Sequence, residues 1–91
     1  MTNKKIQEVI DTYRRKFEEL GIKKADCSHL ELLDSFEHGL EHCHGMLDKM
    51  EGFMRESRIE KVFRWLGFIQ GCLWSQKIYT LEELKNHSRP D

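Results

Sequence analysis

Seven apolar residues in the middle of the chain, Leu33, Phe36, Leu40, Cys43, Leu47, Met50 and Met54, follow one another at steps of three and four. Steps of that size average 3.5 residues and line them up along one helical seam. No stretch shows convincing strand alternation, so the chain is predicted to be all-α. Two flanking segments keep the helical period. Ile6, Val9, Ile10, Tyr13, Phe17 and Leu20 form one stripe, closed by Gly21, where a left-handed cap costs least. Ile59, Val62, Phe63, Leu66, Ile69 and Leu73 form another, and Trp65, Phe68 and Cys72 widen it around the helix.

The helix starts carry their own signals. Ser28 with Glu31, Ser57 with Glu60 and Thr80 with Glu83 each have the spacing of a capping box. Stripes and caps together predict three main helices, over residues 3–20, 29–55 and 58–76, plus a short C-terminal helix over 81–85. All belong to one helical domain spanning residues 1–91, because 91 residues leave little room for a second core. The second helix would be about 40 Å long. Gly39, Gly45 and Gly52 weaken it by about 1 kcal/mol each relative to alanine, so packing must compensate. The tail from Asn86 to Asp91 is polar and expected to be loose.

Charge narrows the function. Fifteen Lys and Arg stand against sixteen Asp and Glu, so the chain lacks the broad basic surface that coating duplex DNA or RNA requires. The near-neutral total hides a partition. Residues 1–24 hold seven bases against four acids, residues 25–56 two against eight, and residues 57–91 six against four. Such segments attract one another within a chain or between copies. No apolar run approaches the ~20 residues of a membrane span. No signal stretch opens the chain, which places it in the cytoplasm by expectation. Cys27, Cys43 and Cys72 read as reduced, partly buried thiols. Apolar residues on two sides of the third helix exceed what three other helices can cover, and self-association would bury the remainder.

Chemistry-bearing patterns are few. His38 and His42 share a helix face, but His44 points elsewhere and Cys43 sits on the apolar seam, so no closed metal site is expected. Neither a nucleophile beside an oriented base nor a phosphate-cradling glycine loop is present, and no catalytic residue or cofactor is expected. Tyr13 precedes Arg14, Arg15 and Lys16, with Lys23 and Lys24 just past the helix. An aromatic ring beside such cations can stack a base while they neutralise phosphate. Tyr13 also lies on the apolar stripe, where a tyrosine is more often a core residue with its hydroxyl at the edge. Arg64, between Phe63 and Trp65, either pairs with Glu60 or aims at a ligand anion.

Residues 64–74, RWLGFIQGCLW, the acidic-leucine helix after them and the terminal Asn-His-Ser-Arg-Pro resemble a family of small tailed-phage proteins, the anti-CBASS cyclic-nucleotide sponges. The resemblance covers about residues 28–91 and is looser over the first helix. It implies a compact homohexamer that binds cyclic di- and trinucleotides without cleaving them, so that the immune effector they activate stays off. It implies action in the cytoplasm of the infected bacterial host. It assigns Arg64, with Gly67 beside it, to the phosphates of a cyclic trinucleotide near a threefold axis. Tyr13, with Lys23 or Lys24, matches the family's cyclic dinucleotide site. Two other readings differ in what they predict. A helical adaptor for a host or phage protein gains no stability from cyclic nucleotides, and a nucleic-acid regulator binds duplexes with steep salt dependence.

Overall fold

The computed structural model describes residues 1–89; Pro90 and Asp91, the end of the expected loose tail, lie outside the described residues. It contains α1 (Asn3–Glu19), α2 (Phe36–Arg55), α3 (Ile59–Ser75) and α4 (Leu81–Ser88), with no strand among the described residues. α2 and α3 fold back on each other across a short turn, α1 packs on α2 and α4, and α4 closes against α3. The core lies where the predicted stripes meet. Ile6, Ile10, Tyr13 and Phe17 of α1 enclose Leu47 and Met50 of α2 and Val62, Ile69 and Leu73 of α3, all fully buried. Truncating a buried aromatic such as Phe17 to alanine costs about 3–5 kcal/mol.

Three helix ends share one closure. Ile22 N–H donates to Phe17 O at 2.9 Å, Arg58 N–H to Phe53 O at 2.9 Å and Ile78 N–H to Leu73 O at 2.9 Å. The residue before each donor takes a left-handed backbone: Gly21 (φ 71°), Ser57 (φ 59°) and Lys77 (φ 63°). The sequence marks only the first of these, because only there is the residue a glycine. Ser57 is thereby committed to ending α2, and its expected capping box with Glu60 does not form. The cap of α3 is Arg58, which makes no side-chain cap bond. At Thr80 the box does form, with Glu83 N–H donating to Thr80 Oγ1 at 3.1 Å and Thr80 N–H to Glu83 Oε1 at 3.0 Å.

The largest departure is at the start of the second helix. It begins at Phe36, not at residue 29, and its cap is Ser35, whose hydroxyl accepts from His38 N–H. Ser28 instead accepts from Leu30 N–H at 3.2 Å in a local turn. The reason is tertiary. After Gly21 the chain runs back along α2: His44 Nδ1 donates to Ile22 O at 2.8 Å, Ala25 N–H to Glu41 O at 3.0 Å, and Cys27 N–H to His42 Nδ1 at 3.1 Å. A helix starting near residue 28 would carry Cys27 about 20 Å from His42 and break all three. Gly45 makes the approach possible, since a Cβ there would lie 2.5 Å from Ala25 O. The seam is therefore real from Leu40 to Met54, while Leu33 and Phe36 stay exposed.

α4 continues to Ser88 rather than stopping near 85, because its last turn is bonded inward. His87 Nδ1 meets the Tyr13 hydroxyl at 3.0 Å, and Gln70 Nε2 donates to Ser88 Oγ at 3.0 Å. The charge partition resolves within the chain. Arg14 of the basic first segment meets Glu51 at 2.6 Å and Asp48 at 2.9 Å, and Lys24 meets Asp48 at 2.9 Å. Gln7 adds a bond to Glu51 at 2.7 Å, clasping α1 to α2.

Candidate functional site

On α3, Arg64, Trp65 and Phe68 fall on the side next to α2, opposite His42, Met46 and Lys49 at steps of four and three. The returning segment adds Asp26 and His29, and together they line a groove of about 400 Å³. Asp26 sits 3.2 Å from Lys49 Nζ and 3.9 Å from His42 Nδ1. Hydrogen bonding to Lys49 holds the Asp26 carboxyl below its ordinary range. His42 Nδ1 accepts from Cys27 N–H, so in the neutral ring the proton sits on Nε2. The His29 ring stands edge-on to it, with centroids 6.5 Å apart.

Arg64 stands at the edge of this groove. It is exposed, and among the described residues it makes no ion pair, with Glu60 or any other carboxylate. It also borders a second hollow, of about 430 Å³, with Ser57, Arg58 and Lys61 at the α2–α3 turn. The cations continue along that side over aromatic rings. Lys61 Nζ lies 4.5 Å from the Phe53 centroid and 5.6 Å from that of Trp65, and Arg58 lies 5.0 Å from Phe53. Phe53 and Trp65 meet edge-to-face at 4.8 Å. A phosphate can take two parallel bonds from a free guanidinium, and an exposed ring such as Phe68 gives a base a face to stack on. Gly67 is exposed beside Arg64, and a Cβ there would meet nothing within 4 Å, so packing within the chain does not require a glycine.

Tyr13 does not offer a stacking face. Its side chain is 0 % exposed, which makes the core reading the correct one. Gln70 Nε2 donates to its oxygen at 3.1 Å, leaving the hydroxyl proton for His87 Nδ1 at 3.0 Å. Its ring packs against Tyr79 and His87, with centroids 5.8 and 5.4 Å away. Burial pushes the phenol up to about 12, so it stays protonated. Lys23 is exposed, and Lys24 turns to Asp48 on α2, whereas the Tyr13 hydroxyl faces α3 and α4. Tyr13 and the two lysines therefore do not converge, and none of them lines the Arg64 groove.

Sequence reasoning missed Lys49, Lys61, Arg58 and Phe53 as companions of Arg64. Lys61 stands one helical turn before Arg64 and Arg58 caps the same helix, so helical spacing was a signal for both, whereas Lys49 and Phe53 of α2 join them only through the folding of α2 onto α3. Among the described residues no three His, Cys, Asp or Glu side chains converge as a metal ion would need. His44, buried at 4 % exposure, stacks on Phe17 at 5.2 Å and leaves Nε2 without a partner among the described residues. All three cysteines are free, Cys43 buried and the other two half-buried.

Fold and groove together define an all-helical chain with a cationic, aromatic-lined cleft. Compared with protein-family models, curated proteins and solved structures, the sequence matches none of them. No helix among the described residues is long and apolar enough to cross a membrane.

Proposed function

We propose that this protein is a non-catalytic phage counter-defence protein that binds and sequesters cyclic di- and trinucleotide second messengers. It acts in the cytoplasm of the infected host as a homo-oligomer, a hexamer by resemblance, and so blocks CBASS-type immune signalling. The observation that carries the reading is Arg64: a guanidinium with no carboxylate partner among the described residues, set between two hollows and flanked by Trp65 and Phe68. A groove of about 400 Å³ has the volume of a small-ligand site. Copies meeting around an axis would bring several Arg64 side chains together, and an anion at the centre would relieve their repulsion. Sequestering a signal present below micromolar levels requires binding of about −9 kcal/mol or better, and enclosure between subunits supplies it without turnover.

Arg64 and Gly67 carry the cyclic trinucleotide part of this proposal. A cyclic dinucleotide would rely on Lys23 and Lys24 at the surface, without Tyr13, which is buried and turned toward α3 and α4.

Native mass spectrometry of the protein incubated with a mixed set of cyclic nucleotides tests the reading. The expected spectrum shows an assembly carrying ligand whose mass is unchanged on release. A single subunit with no ligand, or a linearised product, overturns it. Exposed Phe63, Trp74 and Leu81 support a second reading, the adaptor that binds a host or phage protein. Thermal melting separates the two: ligand at 100 times its Kd adds about 2.7 kcal/mol of stability to a sponge and nothing to an adaptor.

A further inference from the structure

Between Cys27, tied to His42, and Ser35, which caps α2, the chain makes an outward loop that hides little of its apolar surface. Leu30 is 96 % exposed, Leu32 97 % and Phe36, in the first turn of α2, 79 %. Three large apolar side chains this bare within seven residues form the kind of patch that marks an interface. Three acids, Glu31, Asp34 and Glu37, are interleaved with them, and none forms an ion pair among the described residues.

A matching surface lies elsewhere on the same chain. α3 and α4 enclose an apolar groove of about 330 Å³, floored by Gly71 and walled by Trp74, Leu81 and Leu84. A Cβ on Gly71 would meet nothing within 4 Å, so the floor is open to an incoming side chain. Lys85 stands on the rim, exposed and without an ion pair among the described residues. α2, which carries the prong, does not touch α4.

We infer that the protein self-associates by seating the prong of residues 30–36 of one copy in the α3–α4 groove of a second. The leucines and Phe36 fill the groove, and the prong acids meet Lys85 at its rim. Apolar core and charged rim thus complement each other across two surfaces of one sequence, which is the argument for a second copy over another protein. Each copy presents one prong and one groove, so two copies can exchange prongs about a two-fold axis, or successive copies can pass them head to tail. This inference rests on the self-association proposed above but not on the ligand.

Sedimentation velocity and amide hydrogen exchange on the full chain test it. In the wild type, the amides of residues 30–36 are expected to be protected in the assembly and to lose protection on dilution. Gly71→Leu sets a side chain into the groove from a position where a Cβ meets nothing within 4 Å, and Leu32→Glu with Phe36→Glu blunts a prong that is bare in the single subunit. Both variants are expected to keep wild-type circular dichroism and to weaken self-association by about tenfold or more. If both assemble like the wild type, this docking is wrong while self-association stands. If residues 30–36 are protected equally at every dilution, the prong is covered within its own chain and the inference falls. A wild type that remains a single subunit at all concentrations removes this inference and the assembly proposed above together. Loss of cyclic nucleotide binding with prong protection intact would instead remove only the ligand reading.

Discussion

Replacing Tyr13 by phenylalanine separates a core role from a ligand role. The hydroxyl is fully buried and lies between two partners, accepting from Gln70 at 3.1 Å and donating to His87 at 3.0 Å. Removing it leaves His87 Nδ1 without a donor, while Gln70 keeps its bond to Ser88. Two hydrogen bonds at about 0.5–1.5 kcal/mol each, one leaving a stranded partner, put the loss at about 2 kcal/mol. In a domain of this size that lowers Tm by roughly 10 °C. Calorimetric melting of Tyr13→Phe measures this directly, and titration of the same variant with cyclic nucleotides is expected to give wild-type affinity. Tyr13→Ala is less informative, because its cavity alone costs about 3–5 kcal/mol and any binding loss would reflect unfolding. A Tyr13→Phe protein with wild-type Tm and lost cyclic dinucleotide affinity would show that the hydroxyl serves a ligand rather than His87.

Three other outcomes follow from particular contacts. Gly45→Ala drives a methyl into Ala25 O, so it is expected to cost about 2 kcal/mol and to speed hydrogen exchange at Ala25 and Cys27. Hydrogen bonds from Arg14 to Glu51 and from Lys24 to Asp48 hold both carboxyls below their ordinary range. Groups shifted that way add stability above their unfolded pKa of about 4 and lose it as pH falls toward their folded values. Urea unfolding is therefore expected to show stability declining below about pH 4.5, and Arg14→Gln to flatten that decline. Hydrogen bonding from Cys43 draws the Cys72 thiol down to about 7, while the same bond and burial push Cys43 up. Iodoacetamide is expected to alkylate Cys72 with a rate that rises through neutral pH and to leave Cys43 untouched; equal labelling would contradict the pairing.

The parts of the fold legible in the sequence are those decided locally or by one stripe. Ile6 to Phe17, Ile59 to Leu73 and the Thr80–Glu83 box all form as their spacing predicts. The start of α2 was not legible, because two serines competed for the cap and contacts distant in sequence chose between them. Ser28 has the better spacing, yet hydrogen bonds from the 22–27 segment to α2 leave the cap to Ser35. Gly45, one of three glycines in the predicted helix, was the trace of that approach and cannot be told from Gly39 or Gly52 by sequence. At the site, Arg64 was legible because a charge between Phe63 and Trp65 is out of place on an apolar helix. Its companions on α2 were not, since Lys49 and Phe53 join it through the α2–α3 packing alone. Tyr13 carried two readings, and its place on the apolar stripe was the signal that decided its burial.

The central claim, a guanidinium held free to bind a cyclic polyanion, is tested most directly by isothermal titration of a cyclic trinucleotide into wild-type protein and Arg64→Gln. Arg64 is exposed and unpaired among the described residues, so the variant is expected to melt like the wild type while its Kd rises by about tenfold or more. Equal affinity in the two proteins, or no binding heat in either, would contradict the account.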